Sequence, residues 1–140
     1  FEAFEDPASF DPYPGLDALL DRLEALGLSI GVISNWSARL PRLLAALGLA
    51  SRLEPILCSA IEGCEKPDPT IFRRALERAR VRPEQALHAG DHPVKDLRAA
   101  QAIGMSAVRV DHGGRRPESP GPFVTSLDEL ASYVEARATT

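Results

Sequence analysis

Long apolar runs are missing from this chain: no stretch approaches the roughly 18 consecutive apolar residues that suggest a membrane span, so no bilayer-crossing segment is expected. Cysteine is nearly absent as well. Cys58 and Cys64 lie too far apart for a CxxC pair and no His/Cys cluster completes a zinc site, so both are expected as reduced thiols with no disulfide or metal role. Positive charge is in deficit. Sixteen basic residues against twenty acidic ones leave a net charge of −4, which argues against nucleic acid or an anionic membrane surface as a partner. Any anion bound here must be held by local chemistry. The opening residues Phe1 to Asp6 have no basic region followed by an apolar stretch, so no secretory signal is expected and the expected location is cytoplasmic. Internal repeats and low-complexity tracts are absent too. What remains is a 140-residue chain, 44% hydrophobic and 26% charged, the composition of one compact globular unit.

Three prolines and three phenylalanines among residues 1–14 give no clear period, and this segment reads as a hinge or linker ahead of a domain over 15–140. From Gly15 onward, Leu16, Leu19, Leu20, Leu23 and Leu26 share one helical face, and Gly27 supplies a stop. Residues 28–34 (LSIGVIS) form a nearly continuous apolar run, as a strand covered on both faces would. A second helix carries Leu40, Leu43, Leu44 and Leu47, with Pro41 tolerated in its first turn. A strand is expected over 55–59. Asp68 is then placed to cap a helix that buries Ile71, Phe72, Ala75, Leu76 and Ala79. A strand over 86–89, a helix over 93–103, a strand over 106–110 and a helix after a Ser126/Glu129 capping box complete the pattern. Residues 113–122 read as an exposed loop. Strands alternating with helices at this spacing predict an α/β fold: a parallel sheet covered by helices on both sides, with ligands collecting at the carboxyl ends of the strands.

Three of those ends carry chemistry in succession. The first strand ends in Ser34-Asn35, the loop after the second holds Lys66-Pro67-Asp68, and the third runs into Gly90-Asp91-His92-Pro93-Val94-Lys95-Asp96. A hydroxyl and a backbone N–H can bond phosphoryl oxygens, an ammonium can offset developing charge, and carboxylates can hold Mg²⁺. Lysine is scarce, standing only at positions 66 and 95 among the sixteen basic residues, which draws attention to Lys66 as a compact point charge.

This ordered set resembles motifs II, III and IV of the haloacid dehalogenase superfamily: an apolar strand ending in Ser34, the Lys66-Pro67 pair, and a GDxxxxD element from Gly90-Asp91 to Asp96. The resemblance covers roughly residues 13–136 and implies a three-layer α/β/α, Rossmann-like core with a parallel sheet. It also implies catalytic roles for Ser34, Lys66, Asp91 and Asp96, phosphate contacts from Ser34, Asn35 and Lys66, and Mg²⁺ held by Asp91 and Asp96. GDxxxxD is more similar to the Mg²⁺-dependent phosphatases than to the dehalogenases proper, so the implied reaction is phosphomonoester hydrolysis of a small phosphorylated metabolite through an aspartyl phosphate.

Plainer readings exist for each residue. Ser34 and Asn35 suit a strand end, Asp91 a helix cap, and Asp96 a first-turn acid complementing a helix dipole. Lys95 is expected on the solvent side and Trp36 is expected to pack. His92 reads as an exposed loop residue, and His88 and His112 carry less functional weight still. Asp111 reads as a turn residue.

One part of the resembled pattern is missing. The family's first motif, DxDxT or DxDxV, supplies the attacking aspartate, and no DxD occurs in this chain. The resemblance therefore implies a partial core without its central first strand and most of its cap, inactive alone because nothing replaces a placed nucleophile. Removing that strand is expected to leave two unpaired edges or to force them together, inviting self-association. The alternative is a non-catalytic phosphate-binding or protein-interaction module. A receiver domain of two-component signalling is disfavoured because its acidic residues precede its Lys-Pro pair, whereas Asp91 and Asp96 follow Lys66-Pro67.

Overall fold

The computed structural model describes residues 15–111 and 121–138. The expected hinge over 1–14, His112 and the loop as far as residue 120 lie outside them.

Helix α1 (Leu16–Ala25) buries Leu16, Leu19, Leu20 and Leu23 in the stripe their spacing predicts, while Leu26 falls beyond it at the exposed C-cap. Strand β1 (Val32–Ser34) is shorter than the apolar run suggests. Its parallel partner, reached through α2 (Leu40–Ala46), is β2 (Ile56–Cys58), and the residue before β2 is Pro55, which has no N–H to extend the ladder. Val32 N–H still donates to the Pro55 carbonyl at 2.9 Å. The backbones press together here, because a Cβ on Gly31 would stand 2.9 Å from that same oxygen.

A single turn, α3 (Ser59–Glu62), follows β2, and α4 (Pro69–Ala79) begins where the Asp68 carboxylate accepts from Thr70 N–H at 2.9 Å. Next comes β3 (Leu87–Gly90). The expected helix over 93–103 is two pieces, a π-helical turn over Pro93–Arg98 and a short α5 (Ala99–Ala102). The widened turn has a visible cause. His92 carbonyl accepts from Leu97 N–H at 3.1 Å, five residues on, while the Asp96 side chain is drawn into the interior.

Strand β4 (Ser106–Val110) matches its expected span, and β5 (Phe123–Val124) is an addition too short to announce itself by alternation. Asp111, expected in a turn, extends the β4–β5 pairing through its N–H to Val124 carbonyl at 2.9 Å. In α6 (Leu127–Ala138), Ser126 Oγ accepts from Glu129 N–H at 3.1 Å, whereas the return bond from Glu129 reaches Thr125 N–H, one residue earlier than a capping box requires.

Successive strand residues face opposite sides, and this produces two cores. Val32, Cys58, Val108 and Val110 pack with the leucines of α1, α2 and α6. Leu57 and Ala107, with Ile33 beside them, pack with α4 and α5 around Phe72 and Leu97. The three-layer α/β/α architecture with parallel pairing is thus present, but the sheet is divided: β1–β2 forms one part and β3–β4–β5 the other. Among the described residues β1 and β3 do not pair with each other, so the direct pairing named as one outcome of a missing central strand does not occur. Both line a cavity of about 1070 Å³, with Gly31, Val32 and Ile33 on one wall and Leu87, His88, Ala89 and Gly90 on the other. Among the described residues, no helix is long and apolar enough to cross a membrane.

Candidate functional site

The carboxyl end of β1 delivers Ser34, fully buried, and then Asn35. Lys66 comes from the loop between α3 and α4, and Asp91 follows β3 directly. The π-helical turn aims Asp96 back at them. Lys66 Nζ lies 2.5 Å from Asp96 Oδ1, with the two side chains only 3% and 2% exposed. The same oxygen meets His88 Nε2 at 2.9 Å, and Oδ2 accepts from His92 N–H at 3.1 Å.

Burial works against the charge on Asp96, yet the His88 hydrogen bond and the Lys66 ammonium outweigh it and hold the carboxyl well below the usual carboxylate range. Burial pushes His88 down from its ordinary value, and the pull of Asp96 in the other direction does not restore it. Facing the Asp96 carboxylate, His88 Nε2 is placed to donate its N–H, and the ring is set edge-on to Phe72 at 5.1 Å between centroids. A buried lysine–carboxylate pair whose acid is further held by His88 and the His92 N–H is a rigid way to aim a cation.

Asn35 makes a contact that the sequence pattern does not announce. Its Oδ1 accepts from Lys66 N–H at 2.8 Å and its Nδ2 donates to Lys66 carbonyl at 2.9 Å, so the side chain engages the lysine backbone. Lys66, Asp91 and Asp96 line the same cavity; Ser34, buried at the end of β1, is not among the residues that line it. Asp91 is exposed, and its carbonyl accepts from Arg109 Nε at 3.2 Å.

The remaining residues sort themselves. Lys95 is exposed, as expected. His92 caps the π-helical turn, its Nδ1 accepting from Val94 and Lys95 N–H at 3.1 and 3.0 Å. Trp36 packs half-buried against the core. Cys58 and Cys64 are free thiols. His88 is the functional neighbour that sequence reasoning passed over; the available signal was an imidazole in an apolar strand eight residues before Asp96.

No group of three or more His, Cys, Asp or Glu side chains able to hold a metal occurs among the described residues. Asp96 spends both oxygens on Lys66, His88 and the His92 N–H, leaving Asp91 as the open carboxylate of the expected pair. One carboxylate completed by water and a phosphate is a usual Mg²⁺ set, so the residues present fit a partial site.

A family model described as haloacid dehalogenase-like hydrolase matches residues 1–104. The phosphoserine phosphatase of Thermus thermophilus is 39% identical over 118 residues, covering 84% of this chain and 47% of that protein. Among solved structures, a HAD phosphatase from Thermococcus onnurineus superposes with a TM-score of 0.85 at 26% identity, covering 91% of this chain and 60% of the other. A 2-haloacid dehalogenase from Pseudomonas syringae superposes with a TM-score of 0.79 at 33% identity, covering 92% and 55%. The chain spans about half the length of the curated relatives it matches.

Proposed function

The chain belongs to the haloacid dehalogenase-like hydrolases, and we propose that it carries the phosphate-facing and magnesium-facing half of a phosphomonoesterase site. The observation that carries this reading is Lys66, buried, ion-paired to Asp96 and fixed beside the ends of β1 and β3. Ser34 hydroxyl and the backbone N–H of Asn35 would hold phosphoryl oxygens, with Lys66 offsetting their developing charge. Asp91 would hold Mg²⁺, which when bound neutralises charge on the phosphoryl oxygens. Asp96 serves through Lys66 rather than as a metal ligand.

The attacking group has to come from elsewhere. No DxD occurs in the sequence, so the aspartyl phosphate is assigned to a strand that would add between β1 and β3, which do not pair with each other among the described residues. A small phosphorylated metabolite in the cytoplasm suits a site whose charge is local on a chain of net charge −4. Phosphatase rather than dehalogenase chemistry is favoured by the exposed Asp91 of the GDxxxxD element. The absence of DxD also favours a second reading, a non-catalytic module that holds a phosphorylated ligand.

Hydrolysis of an aryl phosphate separates these. The 140-residue chain should show none above background, while a version preceded by a DxDxT strand and cap should gain Mg²⁺-dependent turnover that Asp91→Ala removes. Phosphate binding without any gain of turnover would favour the module. Robust turnover by the 140-residue chain, abolished by Lys66→Ala, would overturn the assignment of the nucleophile.

A further inference from the structure

We propose that Asn35 is a positioning residue for Lys66: its side-chain amide sets the lysine's posture by gripping the Lys66 backbone from both sides. This rests on the reading of Lys66 as the anion-binding cation and extends it to a residue that makes no side-chain contact with phosphate. A primary amide offers one carbonyl acceptor and two N–H donors in one plane. A residue's backbone offers the complement, one N–H and one C=O. Here the match is made in full: Oδ1 accepts from Lys66 N–H at 2.8 Å and Nδ2 donates to Lys66 carbonyl at 2.9 Å. The orientation of the amide is fixed by its partners, since the flipped amide would set donor against donor and acceptor against acceptor.

A strand-end asparagine that merely shapes its own turn bonds within two to four residues of itself. Asn35 instead reaches across 31 residues of sequence into the loop after another strand. Lys66 is consequently held at both ends, its backbone by Asn35 and its ammonium by Asp96, which is itself held by His88 and the His92 N–H. With both ends fixed, the amine needs no reorganisation when an anion arrives, the condition under which a buried charge is most effective. Other side chains fail for identifiable reasons. Alanine removes both bonds, and ionised aspartate keeps the first but turns an oxygen toward the Lys66 carbonyl.

NMR of the 140-residue chain provides the test, read as hydrogen exchange at the Lys66 amide, the Lys66 Nζ resonance, and binding of inorganic phosphate. In the unaltered protein the Lys66 amide should be protected; free exchange there would overturn the clamp before any substitution is made. Asn35→Ala should raise exchange at Lys66 about tenfold, as expected for one net hydrogen bond, with Val108 and Leu130 unmoved. It should also broaden or shift the Nζ resonance and weaken phosphate binding about tenfold, although the backbone N–H of residue 35 is intact. Asn35→Asp, equal in size, should act in the same direction and serves if the alanine variant does not fold. Weaker phosphate binding with Lys66 signals unchanged would mean that the side chain touches phosphate directly, and uniform loss of protection would mean a merely structural role; either overturns the proposal. Failure of the unaltered chain to bind phosphate would count against the proposed function, while the Lys66 signals would still decide the role of Asn35.

Discussion

A β-carbon on Gly90 would stand 2.2 Å from Cγ of Asp96. The glycine of the GDxxxxD element thus makes room for the acid six residues on, and that acid cannot step aside because three donors hold it. Gly90→Ala is therefore expected to dislodge Asp96 from Lys66 and destabilise the domain by about 1–3 kcal/mol, the usual cost of overpacking. Urea unfolding checks it. A stability within about 0.5 kcal/mol of the original, the range of harmless surface changes, would mean that Asp96 has another place to go.

Breaking the buried pair from one side leaves an uncompensated charge. Asp96→Ala should cost about 3–5 kcal/mol, whereas Asp91→Ala, at an exposed carboxylate, should fall within about 0.5 kcal/mol. The double change Lys66→Met with Asp96→Leu should recover part of the loss, because both charges are gone and the space is refilled, while the His88 and His92 N–H groups still lack their acceptor. A double variant no more stable than Asp96→Ala alone would place the cost in packing and in the unpaired His88 and His92 N–H groups rather than in the stranded ammonium. The same two residues then separate stability from metal affinity: weakened Mg²⁺ binding should follow Asp91→Ala despite its unchanged stability.

His88 and Asp96 give the domain a pH dependence of defined sign. His88 has a folded pKa below its unfolded value of about 6.5, so the unfolded chain takes up the proton first, and the His88 contribution is complete above that pH and lost as pH falls below it. Asp96 is also depressed, so its contribution is present above about pH 3.9 and lost on further acidification. The windows differ. Between pH 7.5 and 5.5 the slope specific to this network should come from His88, bounded by about 1.36 kcal/mol per pH unit, and His88→Gln should remove it. Comparing urea midpoints of the two proteins cancels the other carboxylates. Identical slopes in that range would mean that His88 already carries its proton in the fold.

How much of this was legible beforehand follows the range of the interactions. The leucine stripes of α1 and α2, Leu26 excepted, and the Asp68 cap are set by spacing within a few residues, and they lie where the pattern put them. The β1 boundary escapes the pattern because it depends on Pro55, the residue just ahead of the neighbouring strand. The π-helical turn was missed because it is made by Asp96 turning inward to Lys66, thirty residues earlier. The grip of the Asn35 side chain on Lys66 and the place of His88 beside Asp96 escape the pattern for the same reason. Their hydrogen-bond partners belong to other elements, and residue type alone says that a bond is needed but not where it goes.

The divided sheet supplies the last prediction. Strand edges with free N–H and C=O groups recruit other strands, and among the described residues β1 and β3 each have a strand partner on one side only, the other side facing a largely apolar cavity. The 140-residue chain is accordingly expected to self-associate in a concentration-dependent way, visible by sedimentation. Ala89 is exposed on β3 and lines that cavity, so Ala89→Lys would set a charge on the open edge without cutting into either core. Natural sheets blunt their edges by this device. The variant should therefore shift the chain toward monomer while keeping its circular dichroism. If association instead persists with Ala89→Lys and disappears in high salt, surface charge is the cause and the edges are not sticky. If the unaltered chain stays monomeric at every concentration, the edges of β1 and β3 are satisfied within a single copy.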